Sequence, residues 1–310
     1  MLNNHYIKNY YMLYQRRNFI KKTVTGLAVT AITGNLLGCK ASGSTVKSAS
    51  ATTTGSLKEF GLQLYTLRDD MPKDPKGILK QVAEMGYKQV ESFEGKMGIF
   101  WGMTNLEFKK YMDDLGMKIV SSHCDINNDF ERKANEAAAI DMKYLISPYV
   151  GAQKTLDDYK KIAEKFNERG ETCKKAGLRF AYHNHEYSFK LQEGQFPQDI
   201  LMQNTNADLV DYEMDVYWVV TAGQDPIEWL KKYPNRFKLL HIKDRKKNAE
   251  LTEREASVNV GTGSIDFKKV LTVAKENGIQ YYIVEQEKYE NTTPLLAAKA
   301  DADYLKQLKF

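Results

Sequence analysis

The chain has 310 residues, of which 42% are hydrophobic and 27% charged, and a formal net charge of +5. That length fits two ordinary domains or one α/β barrel of about 250 residues. The excess charge belongs to the leader: Lys8, Arg16, Arg17, Lys21 and Lys22 lie in residues 1–38, which carry no acid, and the other 40 basic residues balance 40 acidic ones. A neutral body excludes the basic footprint that nucleic-acid binding requires.

Residues 1–38 read as an export signal, with a basic start and an uncharged stretch from Thr23 to Gly38 that is too short and too rich in Thr and Gly to span a membrane. RRNFIKK resembles a twin-arginine signal, and LLGC resembles the lipobox whose cysteine, here Cys39, is lipidated and becomes the first mature residue. The expectation is a membrane-anchored lipoprotein on the periplasmic or cell-surface side, touching the membrane through its lipid alone. Residues before Met12 add nothing to this signal, so Met1 and Met12 are alternative starts. Residues 39–56, almost wholly Ala, Ser, Thr and Gly, cannot bury a core and form a flexible tether. Two cysteines remain in the body, Cys124 and Cys173.

From Leu57 a unit recurs in which a helical pattern ends in Gly and a strand follows: QVAEMGYKQVES, YMDDLGMKIVSSH, CKKAGLRFAYH and AKENGIQYYIVE. Gly86, Gly116, Gly177 and Gly278 stand where a helix C-cap needs positive φ. The spacing predicts strands over 60–65, 88–92, 117–123, 143–148, 178–184, 209–216, 237–242 and 280–285. Helices are predicted over 75–85, 105–115, 130–141, 156–176, 197–204, 225–233, 266–277 and 293–308. Eight strand–helix pairs in about 250 residues are the count of a single (β/α)₈ TIM barrel over 57–310. A doubly wound sheet usually places a glycine-rich loop after its first strand, and YTLRDDMPKD there has no glycine. GTGS at 261–264 is either a turn or a phosphate cradle at a helix start.

In such a barrel the functional groups lie at the C-terminal strand ends. Four of the five histidines fall there: His123, His183, His185 and His241. Beside them stand Glu91 and Glu94, Asp125, Glu186, Glu213 and Asp215, Lys243 and Asp244, and Glu285 and Glu287. Converging imidazoles and carboxylates with no cysteine suit Mn²⁺, Co²⁺, Zn²⁺ or Fe²⁺ in a working site rather than a structural zinc. Tyr65, Trp101, Tyr149, Tyr217 and Trp218 supply aromatic faces that suit a sugar ring.

HNHE after the fifth strand, MDVYW at the sixth, LHIKD at the seventh and IVEQE at the eighth resemble the sugar isomerase/epimerase superfamily with the xylose-isomerase-like barrel, which includes inosose dehydratases and apurinic endonucleases. The resemblance implies metal ligands at Asp215, His241 and Glu285, and at His183, where ketose epimerases carry Glu. Glu186 is the alternative ligand from the fifth strand. Proton abstraction next to a carbonyl suits this set: Glu91 is a base or an acid that positions its neighbours, His123 a donor, His185 an acid/base or orienting partner, and Lys243 either a rim lysine paired with Asp244 or the group holding charge on a substrate oxygen. Histidine at position 183 departs from the two-glutamate epimerase pattern and points to elimination, with the C1 substituent of a 3-keto-glycoside leaving. Sugar or sugar-phosphate isomerisation or epimerisation and non-catalytic sugar binding are the alternatives. The expected partner is a small carbohydrate, with no nucleic acid.

Overall fold

Runs of β-branched and aromatic residues alternate with helical stretches that end in glycine, and each run becomes a strand of one closed sheet. In the computed structural model, which describes residues 55–310, the strands are β1 (Gly61–Gln63), β2 (Gln89–Phe93), β3 (Lys118–His123), β4 (Tyr144–Ser147), β5 (Arg179–His183), β6 (Val210–Asp215), β7 (Phe237–Ile242) and β8 (Tyr281–Val284). All pair in parallel with their sequence neighbours, and β8 closes on β1. The fold is therefore the predicted single (β/α)₈ barrel. The export signal, Cys39 and the tether up to residue 54 lie outside the described residues.

The helices are α1 (Pro75–Glu84), α2 (Asn105–Asp114), α3 (Phe130–Ala138), α4 (Leu156–Ala176), α5 (Pro197–Asn204), α6 (Val216–Thr221), α7 (Pro226–Lys232), α8 (Phe267–Glu276) and α9 (Pro294–Gln307). Gly177 caps α4 at φ 98°, a conformation that costs glycine little. Thr104 and Glu107 form the anticipated capping box of α2. None of the described helices is long and apolar enough to cross a membrane.

Strand parity divides the side chains. Phe180, Tyr182, Val210, Tyr212, Leu240 and Ile242 join the large buried layer under the helices, while Ile146, Ala181 and Leu239 form a small separate cluster with Tyr144. Higher in the barrel the interior turns polar: Gln63, Glu91, Ser121 and Glu213 are fully buried. The strand register slips between Val90 and Glu91 and again between Tyr212 and Glu213. Such irregularities re-aim side chains, and here they flank the two deepest carboxylates.

Two segments differ from expectation. The strand predicted to reach residue 216 stops at Asp215, whose Oδ1 accepts the backbone N–H groups of Tyr217 and Trp218 and so starts α6 at once. After β7 the chain forms a hairpin, Asp244–Arg245 against Ser257–Val258. The same Asp244 carboxylate accepts the N–H groups of Gly261, Gly263 and Ile265. A Cβ at Gly263 would meet Asp244 Oδ1 at 2.3 Å, so this turn needs glycine for a close intramolecular approach. The GTGS cradle is filled by the chain's own carboxylate.

Asp301 on α9 is buried, accepts the Val260 N–H through Oδ1 at 2.8 Å and leaves Oδ2 without a partner. Burial pushes its carboxyl up to about 7. The folded chain keeps a proton that the unfolded chain releases near pH 4, so this group lowers stability as pH rises from about 4 to 7. Asp301→Asn should therefore gain about 3 kcal/mol relative to wild type between pH 5 and pH 8, read from urea unfolding at both values.

Candidate active site

β5, β6, β7 and β8 run in parallel, so their C-terminal ends open on one mouth of the barrel. His183, Asp215, His241 and Glu285 meet there, all buried. Asp215 Oδ2 lies 3.9 Å from His183 Nε2 and 3.9 Å from His241 Nδ1, which in turn is 3.4 Å from Glu285 Oε2. Ligand atoms held about 2.0–2.2 Å from one ion stand about 3–4 Å apart, so Asp215, His241 and Glu285 are spaced to share a divalent cation, with His183 at the edge of the group. Asp215 Oδ2 and His241 Nδ1 are buried without any hydrogen-bond partner. Buried polar atoms are seldom left so, and these two lie 3.9 Å apart.

A second layer beneath orients these imidazoles. His241 Nε2 contacts Glu91 Oε1 at 2.8 Å, and His183 Nδ1 contacts Glu213 Oε2 at 3.0 Å. Assigned from these bonds, the protons sit on His241 Nε2 and His183 Nδ1, leaving the opposite nitrogens with free lone pairs. His123, His183, Glu213 and His241 also cluster closely enough to suggest a metal group of their own. His123 Nε2 also contacts Glu213 Oε2 at 2.8 Å, while Glu213 Oε1 is buried without a partner. This layer is an internal network that holds the upper one.

The electrostatics follow from burial and neighbours. Burial opposes ionisation of Glu91, but His123 and His241 outweigh it and hold its carboxyl well below the usual range. Burial likewise opposes charge on His123, yet Glu91 and Glu213 push it up to about 9. His183 is driven well below its ordinary value by burial and then by His241. Burial and then Lys243 push His185 down to about 3, which keeps it neutral. Asp215 is pushed up to about 7 by burial, against Lys243 and His241, whereas Glu285 is pulled down despite burial because Lys243 Nζ touches it at 3.0 Å.

The other sequence candidates fall in different places. Lys243 is 1% exposed; it pairs with Glu285 and Glu287, not with Asp244, and lies over the Trp218 ring at 5.0 Å. Glu91 does not reach the cavity: Gln63 and Ser121 donate to it at 2.7 and 2.6 Å, and the histidines take the rest. A carboxylate so saturated positions His241 and is not placed to abstract a substrate proton. Glu186 turns away onto Arg254, 3.1 Å from its Nε. His185 lines the cavity wall, stacked on Trp218 at 5.1 Å. Glu94 is tied to Lys133 at 2.7 Å, and Trp101 is a packing residue whose indole N–H donates to Ser92. Asn184, the middle residue of HNH, was not singled out; its amide exchanges two 3.2 Å bonds with the Asp215 backbone and fixes that residue.

Above the cluster opens a cavity of about 740 Å³, lined among others by His123, His183, His185, Trp218, Lys243 and Glu285. That is the size range of pockets for small organic ligands. Fold and mouth together define a TIM-barrel protein whose titratable groups converge at the C-terminal rim.

The chain belongs to the xylose isomerase-like TIM barrel family, whose model matches residues 79–308. Its matched relatives include named enzymes of sugar chemistry. A sugar phosphate isomerase/epimerase from Parabacteroides distasonis is 30% identical with a TM-score of 0.70, covering 81% of this chain and 99% of that one. An inosose dehydratase of Clostridium perfringens is 32% identical over 165 residues, 49% of this chain and 52% of that protein. The chain thus spans about half the length of the curated relatives it matches. The IOLI protein, solved with a binding zinc atom, shares the fold at 16% identity and a TM-score of 0.64, covering 80% of this chain and 96% of that one.

Proposed function

We propose that this protein is a divalent-metal-dependent lyase that abstracts a proton next to a carbonyl and expels the C1 substituent of a 3-keto-glycoside. The carrying observation is the pair of unpartnered buried atoms, Asp215 Oδ2 and His241 Nδ1, converging with Glu285 and His183 beside a buried lysine. These four residues would hold the ion; the zinc in a protein of the same fold is compatible with that reading. A bound divalent ion supplies Lewis acidity that polarises a carbonyl and acidifies the adjacent C–H.

The residues account for the remaining steps. Lys243 holds the negative charge that develops on the C3 oxygen as the C2 proton leaves. His185, whose Nδ1 lies in the cavity wall without a partner, accepts that proton. The C2–H electron pair becomes the C1=C2 bond, and the C1–O bond breaks. His123, protonated between Glu91 and Glu213, donates to the departing oxygen through Nδ1, since Nε2 is committed to the carboxylates. Exclusion of water from the buried floor strengthens each of these interactions.

Export as a lipoprotein anchored at Cys39 belongs to the same proposal and rests on the leader motifs RRNFIKK and LLGC. An extracytoplasmic enzyme would meet free or oxidised sugars and glycosides. The test is metal analysis of the purified protein together with deuterium incorporation from solvent into a panel of keto-sugars and 3-keto-glucosides. Exchange at C2 with release of the C1 substituent is expected; an inert 3-keto-glucoside alongside an epimerised ketose would overturn the lyase reading.

A further inference from the structure

Four cations line the cavity: Arg68, Lys243, Arg254 and Lys288. Three are neutralised within the protein, Lys243 by Glu285 at 3.0 Å, Arg254 by Glu186 at 3.1 Å and Lys288 by Glu255 at 2.6 Å. Arg68 makes no ion pair among the described residues. Its two terminal nitrogens donate to the carbonyl oxygens of Tyr65 and Glu287, each at 3.0 Å, and the guanidinium lies 4.8 Å from the centre of the Tyr65 ring. The backbone beneath is fixed as well, because Gln63 Oε1 accepts the Tyr65 N–H and the Arg68 N–H closes the same turn. A guanidinium has five donors, so this braced fork lines the cavity with donors to spare, the Tyr289 hydroxyl and the Glu287 charge nearby but no carboxylate within ion-pair distance among the described residues.

We infer that Arg68 is the recognition point for a carboxylate on the substrate, which makes the preferred ligand a sugar acid rather than a neutral sugar. The inference rests on the keto-sugar reading above and adds the substrate's charge to it. Glu287 links Arg68 to the reacting centre: its carbonyl takes Arg68 and its carboxylate takes Lys243. A planar carboxylate matches the fork of one arginine. A phosphate fits less well, since the glycine turn at 261–264 that could have cradled it already holds Asp244.

Isothermal titration of the metal-loaded full chain with glucuronate, glucose and glucose 6-phosphate tests this. None of the three carries a 3-keto group, so the outcome does not depend on whether elimination occurs. Glucuronate should bind about 10- to 100-fold more tightly than glucose, and Arg68→Gln should bring that ratio close to one while Arg68→Lys keeps part of it. Equal binding of glucuronate and glucose, no detectable glucuronate binding, or a ratio indifferent to Arg68→Gln would overturn the inference. Tighter, Arg68-dependent binding of glucose 6-phosphate would overturn the carboxylate assignment in favour of phosphate. Failure of the lyase reading shows separately, as an inert 3-keto-glycoside.

Discussion

His241→Ala is expected to abolish turnover and metal retention together. The imidazole is fully buried and serves two layers, with Nδ1 facing Asp215 and Glu285 and Nε2 on Glu91. Loss of a ligand should exceed the 10- to 100-fold that removal of an orienting partner costs in metal affinity. Without the ion the reaction loses several kcal/mol of charge stabilisation, at least about 10³-fold in rate. The metal-free variant should also be less stable by about 3–5 kcal/mol, because Glu91, Glu213 and Glu285 keep their burial and lose the imidazole that contacts them. Metal content by mass spectrometry, turnover and the urea midpoint read the three effects. Glu186→Gln is the contrast: its carboxylate sits on Arg254, and metal content should stay at the wild-type level. A metal-replete, active His241→Ala protein would remove His241 from the site.

The difference between these two histidine-motif neighbours shows what the chain discloses before it folds. Glycine-terminated helical patterns followed by apolar runs were enough to set eight strands, because C-cap conformation and strand alternation are local properties. Parity then brought His183, Asp215, His241 and Glu285 to one face. It also carried a signal for Lys243 against a pairing with Asp244: continuing the alternation of β7 past its end puts Lys243 on the side of His241 and Asp244 on the other. Glu91 was harder, since the register slip beside it and the donors Gln63 and Ser121 come from two other strands. Arg68 stands in no motif. Its meaning lies in lacking a partner, which no spacing in the sequence displays.

His185 illustrates a different limit. Alternation puts it on the face of His183, but β5 ends at His183 and a 3₁₀ turn begins at Glu186, so the chain leaves the sheet between them. The ring instead packs on Trp218, which Asp215 has set in place by starting α6. One carboxylate thus joins the cluster to the cavity wall: Oδ2 faces the other ligands while Oδ1 fixes the backbone of both Tyr217 and Trp218. Occupation of the cluster is thereby coupled to the surface that a sugar ring would meet.

Lys243→Met should separate catalysis from metal binding. The ammonium contacts Glu285 at 3.0 Å, stands 3.7 Å from Asp215 Oδ2 and hydrogen-bonds Glu287. Burial opposes its charge, yet Glu285, Glu287 and Asp215 outweigh it and hold its pKa well above the ordinary lysine value, so it remains protonated. A cation beside a cation site repels the ion, and its removal should leave metal affinity unchanged or higher. Turnover should nevertheless fall about 10²- to 10³-fold, the cost of removing one preorganised group aimed at developing charge. In the metal-free protein the same change strands three carboxylates and should cost about 3–5 kcal/mol, so added metal should raise the melting temperature of the variant more than that of wild type. Parallel loss of metal and activity would make Lys243 a structural counter-ion, and undiminished turnover would remove it from the chemistry.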